Sequence, residues 1–367
     1  MNFKISYTYP IALLFLFFTV SCEKQFNTIV EVDIPELDNQ IVINCIFNDT
    51  SFFQVGVYRS RGALNEDLNN PSFIYNATVE LFADGNYVET LSLQENVIDI
   101  VEVELSFYQS VSKPMPNVVY TLQVSAPNLQ MAKATAQLPK KVAINSAYIT
   151  DTIFVQHNIP DIESPMISRY EIALDFQDMA NQNNYYYLKS DIQYNIDAEN
   201  MLAKLDIWRQ TNPDTLLGIE DYIYFLSNED NSDVYETCLY ANDACFEETK
   251  AYSEFDFNLE GSNAYDVCYI GLNIFSDRLF ENEIKNLDIQ LEYIYNSLTA
   301  YFPDDFQTQY VLELGNVSQD MFLYQRSSQL QYNNEFNFFV EPIRVYSNIE
   351  NGFGIFAGYH ISTYLVE

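Results

Sequence analysis

Apolar and polar residues alternate singly along much of this chain, which is the period of a β-strand with one face in a core. In residues 131–138 every second position from Ala132 is apolar, while Lys133, Thr135 and Gln137 point the other way. Val118, Tyr120, Leu122 and Val124 alternate with Thr121, Gln123 and Ser125, and Phe53, Val55 and Val57 alternate with Gln54 in the same manner. Between residues 78–82 and 87–91, two further alternating runs, stands Asp84-Gly85, a pair that tolerates positive φ and so predicts a hairpin turn. Residues 27–138 therefore read as a compact all-β unit.

Pro139-Lys140-Lys141 ends that run with a strand breaker and two of the few cations, and a new apolar stretch starts at Val142. A domain boundary is expected there, dividing the chain into residues 22–140 and 141–367. The second part is also mainly β: residues 171–176, 185–188 and 288–293 have strand-like apolar patterns. Its longest helical candidate is residues 318–333, with Ser318 at the N-cap, Asp320 in the first turn, and Met321, Tyr324 and Ser328 on one face. Residues 196–250 are less regular and carry the acidic stretch 228–233, which reads as an insertion of the kind that places binding loops.

The N-terminus has a different pattern. Lys4 precedes the apolar run 11–20, which closes on Thr19-Val20-Ser21-Cys22. A membrane-spanning helix needs about 20 apolar residues, so this run is too short. Small Ser21 directly before Cys22 is the arrangement of a lipoprotein signal, in which residues 1–21 are removed and Cys22 receives diacylglycerol on its thiol and an acyl chain such as palmitate on its amino group. Simple secretion is the rival reading, and Thr19 stands where most such signals carry Leu.

Composition narrows the picture further. The chain is 48% hydrophobic and 19% charged, enough apolar surface for real cores despite a net charge of −35. With 52 acidic residues against 17 basic ones, it repels nucleic acid, and that class of partner is set aside. The 29 Tyr and 27 Phe favour half-buried pleated surfaces.

Motifs for chemistry are sparse. The two histidines, His157 and His360, lack the spacing of a metal or triad site, no Gly-x-Ser-x-Gly elbow or phosphate-binding glycine loop occurs, and Asp304-Asp305 is one acidic pair among many. No catalytic residue is assigned, and a non-enzymatic protein is expected. Besides Cys22 there are Cys45, Cys238, Cys245 and Cys268. Export permits disulfides, and Cys238 with Cys245 would close a small loop; free thiols are the alternative. Cys45, within an apolar strand, reads as a small buried hydrophobe. No cofactor is expected beyond the lipid. Asp230, Asp233 and Glu236 are the carboxylates that would suit calcium, although no EF-hand order is present and a charge run is usually a solvated loop.

Several segments together resemble a family of Bacteroidota lipoproteins classed as a domain of unknown function, number 4249. They are Ser21-Cys22-Glu23-Lys24, Asp33-Ile34-Pro35 leading into 41–44, the 76–81 strand with its Asp84-Gly85 turn, and the 120–127 strand. Glu341-Pro342 followed by 345–359 is similar to the family's closing segment, with Ala357 where Gly is expected. The resemblance implies an immunoglobulin- or transthyretin-like N-terminal sandwich and a larger C-terminal β domain with one or a few short helices. It also implies an outer-membrane lipoprotein associated with TonB-dependent receptors. On that basis the expected role is accessory or structural subunit of a β-barrel complex, with surface glycan or peptide binding as the alternative. Glu23-Lys24-Gln25 after Cys22 is compatible with display on the cell exterior.

Overall fold

The structure is a computed structural model that describes residues 39–61, 72–98, 104–156, 166–180, 182–196, 202–204, 207, 235–236, 238–241, 244–246, 273–280, 283–294, 306–334 and 343–366. These belong to one compact unit. The protein is mainly β, as its alternation predicts.

The strands in chain order are β1 (Ile41–Phe47), β2 (Gln54–Arg59), β3 (Thr78–Ala83), β4 (Asn86–Thr90), β5 (Ser92–Ile98), β6 (Glu104–Gln109), β7 (Val119–Ser125), β8 (Ala132–Gln137) and β9 (Ile144–Gln156). They continue as β10 (Met166–Gln177), β11 (Tyr185–Ile196), β12 (Tyr235–Glu236), β13 (Cys238–Ala241), β14 (Asn273–Ser276), β15 (Ile284–Ile294), β16 (Phe306–Val317) and β17 (Gly352–Leu365). Helix α1 (Gln319–Asn334) lies between the last two. Three sheets result, ordered β12-β11-β16-β17-β1-β2-β6-β5 with β14 also on β11, then β13-β15-β10-β9, and β4-β3-β7-β8.

The first core lies between the β4-β3-β7-β8 sheet and the β17-β1-β2-β6 part of the large one. Ile41, Ile43, Cys45 and Phe47 of β1 alternate inward and meet Val79 and Leu81, Leu122 and Val124, and the alanines of β8. Small alanines let β8 pack closely. The second core lies between β10 and β15 on one side and β11 and β16 on the other, around Leu174, Phe176, Tyr186, Phe275, Leu291 and Leu314. The predicted hairpin is present: Asp84 and Gly85 both have positive φ, at 49° and 80°. The predicted helix is α1, whose Ser318 hydroxyl accepts a bond from the Met321 amide at 3.3 Å. Met321 and Tyr324 lie on its packed side as expected, and Phe322 joins them.

Strand β17 is the element that alternation alone does not place. Its first half runs parallel to β1, Ile41 opposite Gly352 through Phe47 opposite Gly358. Its second half runs antiparallel to β16, Val317 opposite Tyr359 through Val311 opposite Leu365. One strand thus belongs to both halves of the fold. Sheet continuity therefore crosses the Pro139-Lys140-Lys141 segment, which is itself fastened to the large sheet. The Asn316 amide donates to the Lys140 carbonyl at 2.8 Å, and the Ser362 hydroxyl donates to the Val142 carbonyl. His360 completes the fastening, with Nδ1 at 3.4 Å from the Pro139 carbonyl and Nε2 at 2.9 Å from Asp49.

Sheet edges carry a device against further strand pairing. On edge strand β9 the register skips Thr150 between Asp151 and Ile149, and shifts again near Asn145. On edge strand β4 it skips Val88, and β5 shifts between Gln94 and Val97. Such shifts bend the backbone away from a straight ladder and blunt an edge. Among the described strands, the remaining edges β12, β13 and β14 are only two to four residues long, and the six-residue edge β8 is bridged at Lys133 by Glu350.

Candidate binding face

The outer face of the large sheet is covered unevenly. Over β11, β16 and β17, helix α1 buries Met321 and Phe322 against Tyr187, Ile355 and Ala357. Beside it, strand alternation sends Val42, Asn44 and Ile46 of β1 and Gly56 and Tyr58 of β2 outward, because their neighbours fill the inner core. Phe353 of β17 projects to the same side.

Register brings these positions into line. Val42 is opposite Tyr58 on one side and Phe353 on the other, and an isolated bridge sets Phe73 opposite Tyr58. Phe353, Val42, Tyr58 and Phe73 therefore form one row across four adjacent segments. The Tyr58 and Phe73 rings meet edge-on with centroids 5.5 Å apart, and Phe73 meets Tyr75 at 4.9 Å. Phe353 is 42% exposed and Tyr75 56%.

Gly56 governs the posture of Tyr58. A Cβ at Gly56 would come within 2.8 Å of the Tyr58 ring, so the ring lies across the glycine against the sheet. Burial of that ring pushes the Tyr58 phenol above its ordinary pKa. Asn44, opposite Gly56, is exposed in the adjoining row. None of these side chains carries a charge at neutral pH.

A second cluster, polar in character, lies on the same sheet face farther along. Tyr187 lies over Gly315, where a Cβ would be 1.9 Å from its ring. Lys189 is opposite Glu313, and the Lys189 ammonium is 3.2 Å from a carboxylate oxygen of buried Asp191. Loss of hydration raises the Glu313 pKa first, Asp191 raises it further, and Lys189 opposes both. Burial likewise raises the phenols of Tyr187 and Tyr359, and the Asn48 amide donates to the Tyr359 hydroxyl at 2.9 Å.

A third group is structural. Asn184 donates from its backbone to Asp277 at 2.7 Å and from its side chain to Asp178 at 3.0 Å, while Tyr186 donates to Asp178 at 2.5 Å. These bonds occupy the Asp178 and Asp277 carboxylates. They fix the start of β11 to the segments after β10 and β14.

The residues expected from sequence are distributed as follows. Cys22, His157, Asp230, Asp233, Cys268 and Asp304-Asp305 lie outside the described residues, as do the side chains of Glu236 and Cys238. Cys245 is buried in the short 3-10 turn Ala244–Phe246, 5% exposed, so its pairing with Cys238 falls outside the described side chains. Cys45 is 2% exposed, and burial pushes its thiol pKa far up. Among the described residues no group of three or more His, Cys, Asp or Glu side chains is placed to hold a metal ion, and no helix is long and apolar enough to cross a membrane. Sequence reasoning missed the Phe353–Tyr58 row. Its one local signal is an aromatic two places after a glycine within a strand, at Gly56 and Tyr58; the pairing with β17 has no local signal.

No curated protein and no solved structure matches the chain. The family model described as Domain of unknown function (DUF4249) matches residues 27–364, nearly the whole sequence. The chain belongs to the DUF4249 family.

Proposed function

We propose that this protein is a lipid-anchored, non-enzymatic component of the bacterial outer membrane, facing the cell exterior, and serves as an accessory or structural subunit of a β-barrel complex such as a TonB-dependent receptor. The observation that carries this reading is the N-terminal signal ending at Ser21-Cys22, with a short apolar run before it and an acidic β-rich body after it. A lipid at Cys22 holds the body beside the membrane, and the net charge of −35 keeps it from adhering to anionic surfaces. Blunted sheet edges agree with partnership through faces or loops rather than by strand addition.

The test is metabolic labelling with an alkyne-bearing palmitate, followed by membrane fractionation and affinity purification after crosslinking. Label is expected on the native chain and lost in Cys22→Ala, with the native chain in the outer-membrane fraction together with a barrel protein. Label-free native protein in the soluble fraction sinks the anchor; a labelled chain recovered without a barrel sinks the subunit role.

A second reading, surface glycan or peptide binding, is favoured by one observation, the aromatic row on the outer sheet face, with Phe353 exposed and Tyr58 half-buried. The two readings share the anchor and differ in what the body holds.

A further inference from the structure

The row formed by Phe353, Val42 and Tyr58 has a form suited to one class of ligand. Adjacent strands stand about 4.8 Å apart, so Phe353 and Tyr58, with β1 between them, are separated by about 10 Å; Phe73, beyond Tyr58, packs against the first core and stacks on buried Tyr108, and closes that end of the row. The separation of Phe353 from Tyr58 is the length of a short oligosaccharide.

Three features select the ligand chemistry. Tyr58 lies across Gly56 and is half-buried, so its ring is held against the sheet and only its remaining accessible part can meet a ligand. Phe353 remains 42% exposed although it sits beside the covered part of the sheet under α1. Asn44, exposed in the adjoining row between Gly56 and Ile355, supplies an amide able both to donate and to accept hydrogen bonds.

Charge decides between occupants. The chain as a whole carries −35, yet the five described residues of this row and the adjoining one, Val42, Asn44, Gly56, Tyr58 and Phe353, are all uncharged, and the Lys189, Asp191 and Glu313 cluster lies farther along on β11 and β16. Among these described residues a cationic peptide finds no counter-charge, and a phosphate or anionic lipid finds no cation. An extended peptide seeks backbone hydrogen bonds at a strand edge, whereas this row crosses the interior of a sheet. An uncharged ligand with flat C–H faces and outward hydroxyls meets both the rings and the amide. We infer that the outer face of β17, β1 and β2 binds a neutral saccharide chain, stacked on Tyr58 and Phe353 and hydrogen-bonded by Asn44. The inference deepens the second reading above and does not depend on the anchor.

The test is native affinity electrophoresis of the full chain in detergent, in gels cast with dextran, soluble starch, xylan or mannan. At least one polysaccharide is expected to retard the protein. Tyr58→Ala and Phe353→Ala are each expected to weaken that retardation about tenfold in apparent affinity, as loss of one stacked ring does. Tyr148→Ala, an exposed aromatic on β9, should leave it unchanged. Asn44→Ala, which removes only an exposed amide, is the variant least able to disturb folding and should also weaken binding, with unchanged near-UV circular dichroism. Failure of all four polysaccharides to retard the chain overturns the inference, as does retardation that survives in Tyr58→Ala, Phe353→Ala and Asn44→Ala alike. If the polysaccharides fail while Tyr58→Ala abolishes recovery of a barrel protein, the face docks protein and the saccharide assignment is wrong. Labelling at Cys22 is scored separately, so failure of the anchor and failure of the saccharide face are distinguishable.

Discussion

Phe356, on the last strand, stacks at a tilt on Phe47, at the end of the first, with ring centroids 5.0 Å apart and both rings buried. Phe53 and Tyr120 pack on Phe47 in turn, at 4.8 Å and 6.0 Å. The aromatic centre of the N-terminal sandwich is therefore completed by a residue from the far end of the chain. Truncating a buried Phe to Ala removes its transfer energy and leaves a cavity. Phe356→Ala should lower stability by about 3–5 kcal/mol, read as a shift in the urea midpoint. A loss below about 1 kcal/mol would mean that the ring is not packed as described.

Gly354 makes a sharper conformational prediction. Its φ is +102°, and a Cβ there would lie 2.0 Å from the Ile43 carbonyl oxygen. The positive φ and the close approach of β1 both exclude a side chain. Gly354→Ala should cost upwards of about 2 kcal/mol, through strain and displacement of β1. Gly85→Ala is the control: its φ is +80°, but nothing lies within 4 Å of an added Cβ, so it should cost less. Thermal unfolding of the two variants side by side checks the order, and the reverse order would refute the account.

The contrast between those two glycines shows what the sequence made legible. Asp84-Gly85 was readable because a two-residue turn is a local event between two alternating runs. Ser318 and α1 were readable for the same reason, a cap beside a helical stretch. The 351–354 segment reads from sequence as a glycine-supported turn into a last strand, and Asn351 does turn with φ of 58°. The need for Gly354, however, comes from β1, more than 300 residues away in the chain. Parallel pairing of β1 with β17 leaves no local trace, since either strand would show the same alternation against any partner. The aromatic row inherits this, because Val42 joins Phe353 only through that pairing.

Glu313 predicts a pH dependence. Its carboxyl is raised above the ordinary value of 4.5, first by loss of hydration and then by Asp191, with Lys189 opposing. A carboxyl with a raised native pKa holds its proton more tightly when folded than when unfolded. Its favourable contribution is thus present below the unfolded value and is lost as pH rises through the native one. Glu313→Gln removes the ionisation, so the variant should gain stability relative to the native chain as pH rises above the ordinary carboxylate range. Urea midpoints measured at intervals from pH 4 to pH 8 test this; a constant difference between the two proteins contradicts it.

Cys45 offers the last prediction. It is 2% exposed on the inner side of β1, and desolvation pushes its thiol pKa far above normal, outweighing a hydrogen bond with the Gln54 backbone that lowers it. Thiolate is the reactive form, so both access and ionisation protect this residue. In the native chain iodoacetamide should leave Cys45 unmodified at pH 8 for as long as the N-terminal sandwich stays folded, and should label it on addition of urea. Peptide mapping without reductant, in the same experiment, should recover Cys238 linked to Cys245. Recovery of both as thiols removes that disulfide, while labelling of Cys45 before unfolding shows that β1 opens from the core independently of the rest of the sheet.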